Sequence, residues 1–212
     1  MKYRTIVADP PWDHSDGTGV KLDIGYGSKR RPLPPGEKPH ATSPPYPPMA
    51  LPEIIALDVG RLADRDAHLY LWTTNRYLRH VWSIAEAWGF HGVCVLTWCK
   101  EPCGYLGGGA FPSNTEFCLF ARRGNLPTNE RAEGRWFRWP RQFGPPVREG
   151  ETRNTKHSAK PEAFLDLVET VSPGPYLELF ARRQRLGWDT WGNEALEHVA
   201  LDAPSVREGA RR

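Results

Sequence analysis

Short apolar runs alternate along the chain with stretches in which apolar residues recur every three or four positions. Thr5-Ile6-Val7-Ala8 is apolar and β-branched and stops at Asp9-Pro10-Pro11, which predicts a buried strand carrying those residues at its carboxyl end. Residues 13–48 show little apolar periodicity and much Gly, Pro and charge, the pattern of a long loop. Leu51, Ile54, Ile55 and Leu62 then follow helical spacing after Pro47-Pro48, predicting a helix that begins near Met49. A second buried strand is predicted over residues 68–73. Leu78, Val81, Trp82, Ala85 and Trp88 form the apolar stripe of another helix, with Gly89 where it should stop. Residues 93–98 predict a third strand, followed by a stretch with Gly104, Gly107, Gly108 and Gly109, which reads as a lid or a turn. Residues 115–120 predict a fourth strand. Pro161 suits the first turn of a helix with Phe164, Leu167, Val168 and Val171 on its apolar face. Pro173-Gly174-Pro175 turns the chain into a fifth strand over residues 176–180, and a short helix is predicted near Trp191. The tail after Ala203 is polar.

Strands alternating with helices predict an α/β domain with a mostly parallel sheet. Ligands of such sheets gather at the carboxyl ends of strands, where Asp9, Thr73, Lys100 and Ala181 all fall. Neither an internal repeat nor a second domain is evident, and 212 residues suit one domain with a substantial core.

Composition adds three points. The 21 Pro and 20 Gly cluster, which favours long functional loops on a compact scaffold. A formal charge of +3 says little about partners, but its distribution says more. Arg122, Arg123, Arg131, Arg135, Arg138, Arg141, Arg148 and Arg153 crowd a predicted loop over about residues 122–157, interleaved with Trp136, Phe137, Trp139 and Phe143. Arginine forks pair with phosphate and aromatic rings stack on bases, so Arg138 and Arg141 are candidates for holding a nucleic-acid backbone. The plainer alternative is a surface loop whose tryptophans pack on the body. No apolar run is long enough to span a bilayer, and Met1-Lys2-Tyr3-Arg4 lacks a signal-peptide core. With Cys94, Cys99, Cys103 and Cys118 read as reduced thiols, the expectation is a cytoplasmic protein without a membrane partner. A zinc site from Cys99, Cys103 and a histidine lacks paired C-x-x-C spacing, so no metal is expected.

Asp9-Pro10-Pro11-Trp12 carries the strongest chemical signal. The exocyclic amine of adenine is a poor nucleophile because its lone pair is delocalised into the ring. Acceptors aimed at its N–H groups favour a pyramidal nitrogen whose lone pair points at a methyl donor. Asp9 offers a carboxylate and Pro10 a carbonyl, the prolines stiffen the turn, and Trp12 offers a flat face for an extruded base. The competing reading is a strand ending in a rigid turn, with Asp9 as a cap and Trp12 as core.

Further blocks follow in order: Tyr46-Pro47-Pro48-Met49, Leu71-Trp72-Thr73-Thr74, Trp88-Gly89-Phe90, Thr97-Trp98-Cys99-Lys100, His157-Ser158-Ala159-Lys160-Pro161, Glu178-Leu179-Phe180-Ala181-Arg182 and Gly187-Trp188-Asp189-Thr190-Trp191-Gly192-Asn193-Glu194. With the opening tetrapeptide, this series resembles the MT-A70 family of adenine methyltransferases, bacterial and phage type, over most of the chain. The resemblance implies a Rossmann-like class I methyltransferase sheet with permuted, β-class motif order, occupying residues 1–202 ahead of a flexible tail. It implies S-adenosylmethionine as cofactor. Lys160 would pair with its methionine carboxylate, Asp9 with its amino group, and Arg182 and Asn193 with its ribose, with Glu178, Phe180 and Glu194 nearby. Tyr46 and Trp98 resemble pocket-lining aromatics, although a tryptophan on a strand is commonly core.

The expected activity is direct transfer of a methyl group to the exocyclic amine of adenine in nucleic acid. Asp9, Pro10, Pro11 and Trp12 are the catalytic set, and Trp12, Tyr46, Trp98, Lys100, Arg138 and Arg141 the substrate contacts. DNA is the expected substrate, with RNA as the alternative and a homodimer left open. A non-catalytic nucleic-acid-binding subunit is the rival of another class, and the intact Asp9–Trp12 segment and Lys160 argue against it.

Overall fold

The computed structural model describes residues 2–12, 48–101, 111, 114–140, 159–192, 199 and 201. Among these, seven strands form one sheet: β1 (Tyr3–Ala8), β2 (Ala63–Thr73), β3 (His91–Glu101), β4 (Thr115–Arg123), β5 (Trp136–Pro140), β6 (Tyr176–Leu179) and β7 (Trp188–Trp191). Their spatial order is β5-β3-β4-β2-β1-β6-β7. β1 lies between β2 and β6, parallel to both, and β7 is parallel to β6. β4 runs antiparallel to β2 and β3, and β5 is parallel to β3. Only β4 therefore runs against the rest, so its amino end shares the sheet edge at which the other strands finish.

Four helices flank the sheet among the described residues: α1 (Leu51–Ala56), α2 (Val59–Leu62), α3 (Val81–Ala87) and α4 (Glu162–Val171). On one face Ile6, Ala8, Leu69, Leu71, Leu177 and Leu179 pack against Ile54, Val59, Ile84 and Trp88. On the other, Val7, Tyr70, Trp72, Trp98 and Trp188 lie under Phe164, Leu165 and Val168 of α4. Burial on both faces explains why β1 is an unbroken apolar run rather than an alternating one. Truncating Ile54 or Phe164 to Ala would cost about 2–5 kcal/mol.

The local signals hold in most places. Gly89 closes the α3 segment at φ 82°, a conformation that costs a side-chain-bearing residue. Three expectations need correction. The helix expected near Met49 starts at Leu51 and breaks into α1 and α2. The arginine-rich stretch expected as a loop contains β5, because its aromatic residues suit a strand pairing with β3. Trp188–Trp191, where a helix was expected to begin, is the edge strand β7. Aromatic and β-branched residues favour the strand, and Gly192 lies so close to Ala181 that a Cβ would meet its backbone nitrogen at 2.5 Å. On α4 the buried residue beside Phe164 and Val168 is Leu165, with Leu167 half-buried.

A buried polar network ties α4 to the sheet away from the edge that carries Asp9. The His68 ring nitrogens lie 2.8 Å from Ser172 Oγ and 3.1 Å from the Leu126 carbonyl, and Tyr70 Oη lies 2.8 Å from the same Ser172 Oγ. A carbonyl only accepts, so His68 donates through Nε2 and Nδ1 accepts from Ser172. Burial depresses the His68 pKa to about 4, with Arg122 and Arg4 adding to it and the Leu126 carbonyl opposing.

Candidate active site

The segment after β1 is held by backbone bonds on both sides. Trp12 N–H donates to the Pro10 carbonyl at 2.9 Å, and Met49 N–H to the Pro11 carbonyl at 2.9 Å. The Asp9 N–H reaches the Leu179 carbonyl of β6 at 3.5 Å. The turn thus fixes the Asp9 carboxylate at the carboxyl edge before any ligand arrives.

That carboxylate sits in a chain of four largely buried charges. Lys160 Nζ, just ahead of α4, lies 2.7 Å from Asp9 Oδ2 and 3.2 Å from Glu116 Oε2. Lys100 Nζ, near the end of β3, lies 2.5 Å from Glu116 Oε1. Each ammonium also sits over an indole, Lys160 at 5.2 Å from the Trp72 ring and Lys100 at 5.4 Å from Trp98. Burial alone would lower the Lys160 pKa, but the carboxylates of Asp9 and Glu116 outweigh it and hold it above the ordinary lysine range. Glu116 resists burial the same way: its two lysine neighbours keep it below the usual carboxylate range. Two cations and two anions balance, which is what lets such groups remain charged out of water. The Lys160 backbone is steadied from outside, since Arg183 donates to its carbonyl at 3.5 Å and pairs with Glu162 at 3.1 Å.

Glu178 is a carboxyl group of a different kind. It lies on β6 in register with Val7 and Thr190, and its Oε2 is buried without a hydrogen-bond partner. Burial raises its pKa to about 7, with Arg183 opposing and Asp9 reinforcing the shift. A little further on, Phe180 takes a left-handed φ of 63° and meets Trp191 edge-on at 5.2 Å. Arg182 follows, half-buried, at the same edge. Among the described residues no three His, Cys, Asp or Glu side chains gather as metal ligands, and Cys103 lies outside that set.

The structure therefore brings Asp9, Lys160 and Lys100 into one cluster and sets Glu178 on the adjoining strand β6, with Phe180 and Arg182 just beyond its end. Two aromatic expectations change. Trp12 is 6% exposed and stacked on Tyr77 at 4.7 Å, so it anchors the turn rather than offering an open face. Trp98 is 3% exposed, meets Trp72 edge-on and donates through Nε1 to the Trp139 carbonyl at 2.9 Å, which makes it core. Lys100 points to Glu116, and Arg138 lies apart on β5, exposed and 3.7 Å from Glu101. Tyr46, Arg141, Asn193 and Glu194 lie outside the described residues. Glu116 was not anticipated. Its one sequence signal is a lone acid just ahead of the apolar run Phe117–Ala121, and only the reversed direction of β4 carries it to the edge where Asp9 lies.

The MT-A70 family profile matches residues 3–194, which spans the whole sheet from β1 to β7. The chain belongs to the MT-A70 family. Membership brings with it the Rossmann-like methyltransferase fold and adenine-directed methyl transfer in nucleic acid. The Type II methyltransferase M.MunI of Mycoplasma sp is 32% identical to this MT-A70 chain over 210 residues, covering 91% of it and 78% of the relative. The N(6)-adenosine-methyltransferase MT-A70-like protein of Drosophila melanogaster is 28% identical over 215 residues, 97% of the chain and 29% of the relative. The human N(6)-adenosine-methyltransferase catalytic subunit METTL3 is 26% identical over 219 residues, 97% of the chain and 30% of the relative. The chain thus spans most of the first relative and under a third of the other two.

Proposed function

We propose that this MT-A70 chain methylates the exocyclic amine of adenine in DNA, with S-adenosylmethionine as donor and Asp9 as the carboxylate that activates the amine. The supporting observation is the Asp9–Lys160 pair at 2.7 Å, held at the end of β1 by a turn whose backbone is bonded on both sides. Lys160 engages Asp9 Oδ2, leaving Oδ1 as the acceptor for an amine N–H. Drawing on that N–H localises the nitrogen lone pair, and the same carboxylate stabilises the positive charge that grows on nitrogen as the new bond forms. Asp9 then stands ready to take the proton that the methylated amine sheds. Pro10 retains a second carbonyl lone pair beyond its bond to Trp12, enough for one further donor.

The residues present fit the donor. S-adenosylmethionine supplies an electrophilic methyl group on a sulfonium, together with a carboxylate and an ammonium. Lys160 is the cation for the carboxylate, and Asp9 together with the partnerless Glu178 Oε2 are acceptors for N–H groups. Arg182 and Asn193 would hold the ribose, with Phe180 and Glu194 beside it. Lys100, Arg138, Arg141 and Tyr46 are assigned to the nucleic acid. DNA is favoured by the M.MunI relative, of which the chain covers 78%. RNA is the second reading, favoured by the N(6)-adenosine-methyltransferase relatives. A purely binding subunit would have no need of a paired, desolvated Asp9 and Lys160. Among the described residues no helix is long and apolar enough to cross a membrane. The test is a competition between DNA and RNA oligonucleotides of one sequence for the labelled donor: faster labelling of DNA supports the reading, and preferential labelling of RNA overturns the choice of DNA.

A further inference from the structure

We infer that Phe137 and Trp139 of β5 form a stacking platform for an unpaired base of the substrate strand, separate from the base that is methylated. The inference rests on the reading above that the chain acts on nucleic acid, and it assigns a second contact site on that substrate.

Alternation along β5 places the two rings on the sheet face that carries the charge network, since Phe137 is in register with Trp98 and Trp139 with Lys100. The rings lie 4.8 Å apart and within 4° of parallel. Both are half-buried, so the pair is neither sealed in the core nor a loose surface contact. Trp139 is braced edge-on by Phe164 at 6.4 Å, and its carbonyl is held by Trp98. Phe137 lies two residues before Trp139, on an edge strand with no neighbour on its far side among the described residues. The two rings cover each other's inner faces, so a base would extend the stack from the outer face of Phe137, which Trp139 already holds in place.

Position decides which base. β5 and β1 are four strand spacings apart in the sheet, so the platform stands about 19 Å from Asp9, at about 4.8 Å per spacing. That is beyond the reach of a single nucleotide, so the base held here lies several positions along the strand from the target. Between the two points the same face and edge carry Lys160, Glu116 and Lys100 without a break. Among the described residues charge contributes little at the platform, because Glu101, Glu130 and Glu133 offset the exposed Arg131, Arg135 and Arg138. Stacking is the attraction that remains.

The experiment measures the affinity of wild-type protein and of Phe137→Leu/Trp139→Leu for single-stranded DNA oligonucleotides with a central adenine and increasing length. Wild type should gain affinity once the strand reaches the platform, and the double variant should lose that gain, about 5- to 150-fold for one stacked base. Oligonucleotides too short to reach should bind both proteins equally, which also shows that the variant is folded, and Trp139→Phe should keep most of the gain. A 2-aminopurine several positions from the target should be quenched by wild type and not by the double variant. Equal affinity for long strands, or a loss that is the same at every length, overturns the platform. Adenine methylation is measured separately, so a chain that fails to methylate adenine but shows the length-dependent gain would sink the activity and leave the platform standing.

Discussion

Removing the central acid of the charge network, Glu116→Gln, should destabilise the protein by far more than a surface substitution. Glu116 is held by Lys100 at 2.5 Å and by Lys160 at 3.2 Å, and all three side chains are largely buried. Lys160 keeps Asp9 after the change, whereas Lys100 loses the one carboxylate that pairs with it among the described residues. Stranding one member of a buried pair typically costs about 3–5 kcal/mol, and the residual exposure of these groups favours the lower end, near 3 kcal/mol. At about 2–4 °C per kcal/mol for a chain of this size, Tm should fall by about 6–12 °C. Deleting the stranded charge as well, in Glu116→Gln/Lys100→Met, restores electrical balance to the remaining Lys160–Asp9 pair. The double variant should recover part of the loss, with a coupling of about 1–3 kcal/mol in a double-mutant cycle. Thermal or urea unfolding reads both numbers. A single variant that melts with wild type, or a double variant whose losses simply add, would show that the network does not stabilise the protein in solution.

Three further outcomes follow from the same geometry. Because His68 is buried neutral with its pKa near 4, against about 6.5 unfolded, its contribution of about 3 kcal/mol is intact above pH 6.5 and is lost as pH falls toward 4. His68→Gln should flatten that acid limb of the stability curve, and an unchanged limb would remove His68 as its cause. Glu178 has the opposite sign: its folded pKa is raised to about 7, so its stability is full below pH 4.5 and declines as pH rises through 7. Glu178→Gln should therefore stabilise the cofactor-free protein at pH 8 by up to about 3 kcal/mol while weakening cofactor binding, and equal melting of variant and wild type at pH 8 contradicts the assignment. Lys160→Met should weaken S-adenosylmethionine binding by about 10-fold or more in calorimetry, the effect of losing a charge-assisted contact, and an unaltered Kd would take Lys160 out of the cofactor site.

Features set by neighbouring residues in the chain were legible in the sequence. The β-branched run before Asp9 reads as a strand buried on both faces, the two prolines as a stiff turn, and Gly89 as a helix stop. Features set by distant pairing were not. Trp136–Pro140 has the composition of a nucleic-acid-binding loop as much as of a strand, and only its register with β3 decides. Trp188–Trp191 is four residues whose strand identity comes from β6. For Trp12 and Trp98 the sequence leaves pocket wall and core both open, and their packing on Tyr77 and Trp72, remote in sequence, favours core. Glu116 shows the limit most clearly. A lone acid ahead of an apolar run is its one local mark and does not point to the site, because its place depends on one strand running against the other six.

The most direct test digests DNA after incubation with the protein and isotopically labelled S-adenosylmethionine, then identifies the labelled nucleoside by mass spectrometry, with Asp9→Ala run in parallel. Wild type should place the label on the exocyclic amine of adenine, and Asp9→Ala, still folded by its melting curve, should be slower by about 100-fold or more. Label on another base, or a folded Asp9→Ala variant working at the wild-type rate, would contradict the role given to the carboxylate at the end of β1.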